Sequence, residues 1–174
     1  MARRTRIFSP WRSEHLDDFL VNRGGIASGG AASVFTEIAN SVNDRANLVL
    51  WRGESVFVVM NLYPYNNGHV LIVPYRQVAR YIELWDNEQV EIARTINLVV
   101  SWIDEALEPE GYNIGINDGE AAGAGIPDHM HVHVVPRWSG DTNFMPTVAD
   151  VKIVPESIDA SYEKILAVVN AVSE

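Results

Sequence analysis

His129-Met130-His131-Val132-His133-Val134-Val135-Pro136 sets three imidazoles at alternate positions with apolar side chains between them. On an extended strand, alternate side chains share a face. His129, His131 and His133 therefore project together, while Met130, Val132 and Val134 face the opposite way, toward a core. The chain holds five histidines, and three of them fall within five positions. A single imidazole bonded to a carbonyl is ordinary core structure; three on one strand face point to chemistry.

Two chemistries fit that face. His-x-His on a strand can place two imidazoles on one zinc or iron, with a third ligand from elsewhere. Asp128 and Asp141 flank the strand, but the strand itself carries no carboxylate and the chain has no cysteine. The second chemistry is nucleophilic: a neutral imidazole attacks phosphorus and forms a phosphoramidate. That role needs one ring nitrogen free and the other protonated, so a neighbour must fix the tautomer. Further histidines can then orient the ring and protonate the leaving group.

Outward from this strand, the segments read as a mixed α+β chain. Leu48–Trp51 and Ser55–Met60, joined by Arg52-Gly53-Glu54, predict a hairpin. Val70–Val73 is a short apolar strand stopped by Pro74. Asp86–Leu107 is the clearest helix: Asp86 and Gln89 have capping-box spacing, and Ile92, Ile96, Val99, Ile103 and Leu107 form an apolar stripe. Pro109 and Gly111 end it. Tyr112–Asn117 predicts a strand, Asp118–Pro127 a loop of small residues, and Ser157–Val172 a C-terminal helix. Strands with hairpin-like joins and two helices predict an antiparallel sheet. Residues 1–12 read as an arm and residues 22–33, rich in glycine, as a link. The division expected is an arm and link over 1–34 and one domain over 35–174.

Composition narrows the partners. Hydrophobic residues make up 47% and charged residues 21% of 174, as in a folded soluble protein. No apolar run is long enough to span a bilayer, and none of signal-peptide length follows the basic first residues, so a cytoplasmic protein without a membrane partner is expected. The net charge is −10; four arginines and no acid lie in the first twelve residues, leaving nine basic and 23 acidic residues, a net −14, in the remainder. Such a body repels long nucleic acids, whose binding requires many phosphates to be neutralised. A small phosphorylated ligand needs only local donors. Ala122-Gly123-Ala124-Gly125, just before the histidines, lets backbone approach a ligand closely, with N–H groups available to an anion.

The alternating histidines resemble the signature of the histidine-triad family, and Val135-Pro136-Arg137 is similar to the ending in its fragile-histidine-triad branch. Asn61-Leu62-Tyr63-Pro64-Tyr65-Asn66-Asn67-Gly68-His69-Val70-Leu71-Ile72-Val73-Pro74 resembles a second family segment, with the same Asn61-to-His69 spacing. Asn117-Asp118-Gly119-Glu120-Ala121-Ala122-Gly123, with His129 six residues later, resembles a third. The likeness runs from Phe35 to Pro146, and Phe8–Leu16 is similar to the amino-terminal segment of bacterial dinucleoside-polyphosphate hydrolases and phosphorylases.

The resemblance implies a homodimer and a set of roles. His131 would be the nucleophile on the α-phosphorus. His133 would bind phosphate oxygens and assist the leaving group, and His129 and His69 would orient the cluster and relay protons. Asn61 would meet ribose hydroxyls, and Asn117, with Gly123, Ala124 and Gly125, would lie beside the phosphates. Phe35 and Ile38 match positions lining a base pocket, although plain core packing explains them nearly as well. The implied reaction is nucleotidyl transfer from an adenosine dinucleoside polyphosphate, such as diadenosine tetraphosphate, or a related AMP conjugate. With water as acceptor the enzyme is a hydrolase; with inorganic phosphate it is a phosphorylase releasing ADP. A nucleotide sensor with little turnover and a strand-based metal enzyme are the alternatives. Many relatives carry Cys-x-x-Cys, often with zinc, where this chain has Ser33-Val34-Phe35-Thr36. No tightly bound metal or cofactor is therefore expected, beyond magnesium carried by the substrate phosphates. His15 has no implied role.

Overall fold

The computed structural model describes residues 32–148 and 155–173, so the arm over 1–12, most of the link, Phe8–Leu16 and His15 lie outside the described residues. The chain divides into two compact units, one formed by 32–141 and 154–174, the other by 1–31 and 142–153. Of the second unit, the described part is a short helix, Met145–Val148, preceded by an exposed Phe144.

The first unit is built on a five-stranded antiparallel sheet: β1 (Val49–Arg52), β2 (Val56–Met60), β3 (Val70–Pro74), β4 (Gly111–Ile116) and β5 (Val132–Arg137), in the spatial order β1-β2-β3-β5-β4. The helices of this unit are α1 (Val34–Asn40), α2 (Asp44–Asn47), α3 (Asp86–Leu107) and α4 (Ile158–Ser173). The α+β reading and the antiparallel sheet hold. β5 is last in sequence among the strands but lies between β3 and β4, because α3 carries the chain across the sheet before β4 and β5 pair.

Alternation divides the sheet's two faces. Val56, Val58, Met60, Val70, Ile72, Val132 and Val134 join one buried cluster with Ile92, Val99, Trp102 and Ile103 of α3 and Tyr162, Ile165 and Val169 of α4. The 3–4 spacing of those last three is that of one helix stripe. Ser157 starts α4 by accepting the Ala160 N–H, and Tyr162 ties it to the sheet by donating to the Val49 carbonyl, 3.1 Å away.

Three details differ from the sequence reading. The cap of α3 is one residue earlier: the Glu88 carboxylate accepts the Trp85 N–H at 2.7 Å and is itself buried against Arg76, so Asp86 and Gln89 are not the capping pair. The stripe of α3 adds Trp102 and Thr95, while Ile96 and Leu107 are only half-buried. Ser33 and Val34, placed with the link, begin the body: Ser33 is the fully buried N-cap of α1 and accepts the Thr36 N–H.

These burials set an expected contrast. Trp102→Ala should cost about 3–5 kcal/mol by emptying a core site. Leu98→Ala, on the same helix but 40% exposed, should stay within about 0.5 kcal/mol. Denaturant unfolding midpoints of the two variants measure the difference; equal losses would mean that α3 presents a different face to the sheet.

Candidate active site

The histidine segment is extended, but only its second half is ladder strand. β5 begins at Val132, opposite Ile72 of β3. Before it, the Met130 N–H turns to the Val78 carbonyl at 2.7 Å. The strand expected from His129 thus starts three residues later, because the Pro74 carbonyl, at the end of β3, is taken by the His129 side chain. Alternation survives the change: Met130, Val132 and Val134 enter the core as expected, and the three imidazoles remain together.

Backbone groups dictate where the protons sit. A backbone N–H can only donate and a carbonyl can only accept. His129 Nε2 lies 2.8 Å from the Pro74 carbonyl, so it carries the proton, and its Nδ1 accepts from the Ser33 hydroxyl at 2.5 Å. His131 Nδ1 lies 3.0 Å from the His129 carbonyl, so it carries the proton there and keeps a lone pair on Nε2. The Tyr65 N–H donates to His69 Nδ1 at 3.0 Å, so the neutral His69 holds its proton on Nε2. That proton goes to His133 Nδ1, 3.0 Å away, which leaves the neutral His133 protonated on Nε2. The two central rings, 4.8 Å apart, therefore have opposite tautomers: a lone pair at Nε2 of His131 and an Nε2–H donor on His133.

Burial disfavours charge on His129 and His131. His69 and His129 are fully buried, and His131 and His133 are 7% and 9% exposed. Desolvation pushes His129 down to about 4, against the opposing pull of the Pro74 carbonyl, with a smaller contribution from His131. Desolvation also lowers His131, partly offset by its bond to the His129 carbonyl. Aromatic rings close the walls. Phe35 meets His129 and His131 edge-on at 5.5 and 5.1 Å, and Tyr65 lies stacked on His133 at 5.6 Å.

The other residues singled out by sequence are placed unequally. The Asn61 amide lies against the His69 ring, its Nδ2 3.2 Å from Nδ1, while its Oδ1 accepts the Tyr63 N–H. Ile38 is buried in α1, one turn after Phe35. Asn117 donates to the Gly123 carbonyl at 3.4 Å within its own loop. Gly123 has φ +91°, the left-handed conformation that favours glycine, but its N–H is used on the Glu120 carbonyl and that of Ala124 on Gly119. Gly125 is exposed beside them. The four histidines, Asn61 and Phe35 thus form one site, whereas no bond joins Asn117 or the 123–125 loop to the histidines among those described. Ser33, Tyr65 and Pro74 are the site residues that sequence reading left without a role.

Comparison with known proteins accords with this arrangement. The HIT domain family model matches residues 43–140, more than half of the chain. The chain belongs to the HIT domain family. Among its relatives, the AP-4-A phosphorylase of Mycobacterium tuberculosis is 40% identical over 151 residues, spanning 87% of this chain and 77% of that protein. The bis(5'-nucleosyl)-tetraphosphatase [asymmetrical] of Schizosaccharomyces pombe is 36% identical over 93 residues, 53% of this chain and 50% of its own. In fold, this HIT protein is similar to the Zn-bound histidine triad family protein of Mycobacterium smegmatis, with a TM-score of 0.67 at 23% identity over 83% of this chain and 98% of that one. The zinc belongs to that protein. Here the Ser33 hydroxyl and the Pro74 carbonyl occupy the two nitrogens of His129.

The depressed pKa of His129 has a consequence for stability. Its folded value, about 4, lies below the ordinary 6.5, so the unfolded chain binds this proton first. The contribution is fully present above pH 6.5 and is lost as pH falls toward 4. It amounts to about 3 kcal/mol at ~1.4 kcal/mol per pH unit. Unfolding free energies measured from pH 7 to pH 4 should fall less steeply in His129→Asn than in the parent; parallel curves would rule out a neutral buried His129.

Proposed function

We propose that this chain is a nucleotidyl-transfer enzyme acting on dinucleoside polyphosphates, such as diadenosine tetraphosphate, through a nucleotidyl-histidine on His131. The observation that carries this reading is the pair of opposed tautomers. His131 offers a lone pair at Nε2 because its other nitrogen donates to the His129 carbonyl. His133 offers a proton at Nε2 because its other nitrogen accepts from His69. His131 Nε2 attacks the α-phosphorus, and the bond from phosphorus to the bridging oxygen breaks. That oxygen leaves with the nucleoside triphosphate as an anion, and the Nε2–H of His133 steadies the developing charge as a hydrogen-bond donor while keeping its proton. An acceptor oxygen then attacks phosphorus, the bond from phosphorus to His131 Nε2 breaks, and His131 leaves as a neutral ring; where water is the acceptor, its proton passes to solvent. Inorganic phosphate as acceptor releases ADP; water releases AMP.

Similarity to the AP-4-A phosphorylase over 87% of the chain supports phosphate as the acceptor. The hydrolase reading draws on a likeness covering 53%. In this reading Phe35 and Ile38 of α1 receive the base, Asn61 the ribose, and Asn117 with residues 123–125 the phosphate chain. Because Gly123 and Ala124 use their N–H groups within the loop, the loop must rearrange to offer them. The reading includes a cytoplasmic homodimer without tightly held metal, magnesium arriving with the substrate. Pairing of β4 on one side only, with Ile114 44% exposed on it, supports an edge for the second copy.

Incubation with diadenosine tetraphosphate should give ATP plus ADP when phosphate is present. ATP plus AMP under both conditions would make the protein a hydrolase, and no product would leave the sensor reading. His131→Ala should lose at least ~100-fold in turnover while still binding nucleotide, since acid–base assistance alone is worth about that much. Activity within tenfold of the parent would remove His131 as nucleophile.

The covalent route also fixes stereochemistry. Two in-line displacements at phosphorus restore the starting configuration, whereas direct attack by an activated acceptor inverts it. A chiral α-phosphorothioate substrate should therefore give retention. Inversion would reduce His131 to a general base.

A further inference from the structure

We propose that Ser33 is a positioning residue for the nucleophile, acting through His129 from the first turn of α1. The inference rests on His131 being the reactive imidazole. Ser33 is fully buried and does three things at once: its N–H donates to Gln77 Oε1 at 2.9 Å, its Oγ caps α1 by accepting the Thr36 N–H at 3.2 Å, and its hydroxyl proton goes to His129 Nδ1. The last bond matters to chemistry. His129 has both nitrogens engaged, one by Ser33 and one by the Pro74 carbonyl, so its ring can neither turn nor change tautomer. The backbone carbonyl of this locked residue accepts the His131 Nδ1–H. Of the partners that hold His129 and His131, Pro74 and His129 contribute backbone carbonyls, which no side-chain substitution removes. The Ser33 hydroxyl is the side-chain bond in the chain of bonds.

Without that hydroxyl, the His129 Nδ1 lone pair is buried and loses its donor, a state that proteins avoid. The ring then turns or takes the other tautomer, and its bond to Pro74 goes with it. The His129 carbonyl shifts, the His131 Nδ1–H loses its fixed acceptor, and His131 is free to move its proton to Nε2, where it blocks attack. Because α1 also carries Phe35, edge-on to both rings, the helix that sets the tautomer is the helix that packs on the reactive imidazole.

Capping and positioning are separable. Glycine keeps most of the capping stability of serine but has no hydroxyl, and threonine keeps both. Ring-nitrogen NMR of the folded full chain reads the tautomers without any substrate. In the parent and in Ser33→Thr, His131 should show one form, protonated at Nδ1. In Ser33→Gly it should show a mixture, and kcat should fall about 10- to 100-fold, the loss typical when an outer partner that orients a functional imidazole is removed. KM should stay within about twofold, the scatter expected when ground-state binding is untouched. Unchanged His131 resonances in a folded Ser33→Gly protein overturn the proposal, whatever happens to activity. A shifted tautomer in a chain that turns over no dinucleoside polyphosphate keeps the positioning role and removes the proposed reaction instead.

Discussion

Pairing of β3 with β5 is the constraint on which the site depends. Leu71 lies opposite His133, flanked by Val70 opposite Val134 and Ile72 opposite Val132. His69 stands two residues before Leu71 and so shares its face, diagonally across from His133, within reach of a long side chain. That diagonal is the 3.0 Å bond between the two imidazoles. A slip of one residue would turn His69 to the helix-covered face and take Val70 and Ile72 out of the core. The burial of Val70, Ile72, Val132 and Val134 in the cluster with α3 and α4 therefore guards the histidine pair against a one-residue slip, which would turn apolar side chains out of the core.

The same sheet disfavours charge on His129 and His131. A cluster meant to hold polyphosphate could carry positive charge, but these rings lie almost wholly out of water. At ~1.4 kcal/mol per pH unit, moving His129 from 6.5 to about 4 represents about 3 kcal/mol against protonation. Fixed dipoles take the place of charge. Two carbonyls, one backbone N–H and one hydroxyl meet three of the rings, the fourth, His133, is met by His69, and each contact enforces a proton position at no cost of reorganisation when substrate arrives. Electrostatic preorganisation of this kind also suits a body with a strongly negative net charge, since it works over the length of a hydrogen bond.

Much of this was legible in the sequence. Alternation alone put Met130, Val132 and Val134 in the core and the histidines together. The hairpin of β1 and β2 and the long helix α3 followed from turn residues and helical period. What sequence could not supply were contacts made by backbone atoms. Nothing in the identities of Pro74 or Tyr65 announces that a carbonyl and an N–H fix two tautomers, because every residue carries those groups. Ser33 was misread for a related reason: it follows Gly29-Gly30-Ala31-Ala32, a run that reads as a link, and its role is visible only once His129, 96 positions away, is beside it. Trp102 and Glu88 escaped the apolar stripe of α3 because period identifies a face but not its width, and a carboxylate is counted as polar until its arginine is seen.

The bond from His131 to the His129 carbonyl has two opposite uses in the proposed reaction. Before attack it fixes the proton on Nδ1 and sharpens Nε2 as a nucleophile. After attack, Nε2 is bonded to phosphorus and the ring is cationic, with its Nδ1–H still held by the same carbonyl. That carbonyl favours the cation, while burial disfavours it, and for the free ring burial is the larger influence. A covalent intermediate formed in such a place is thus kept from becoming a trap: the desolvated imidazolium remains a good leaving group, and its departure restores a neutral ring. In the proposed reaction burial would therefore make the histidine available at neutral pH and its phosphoramidate transient, whereas an exposed imidazole would gain only the first of these when deprotonated and would lose its cationic intermediate's driving force to water.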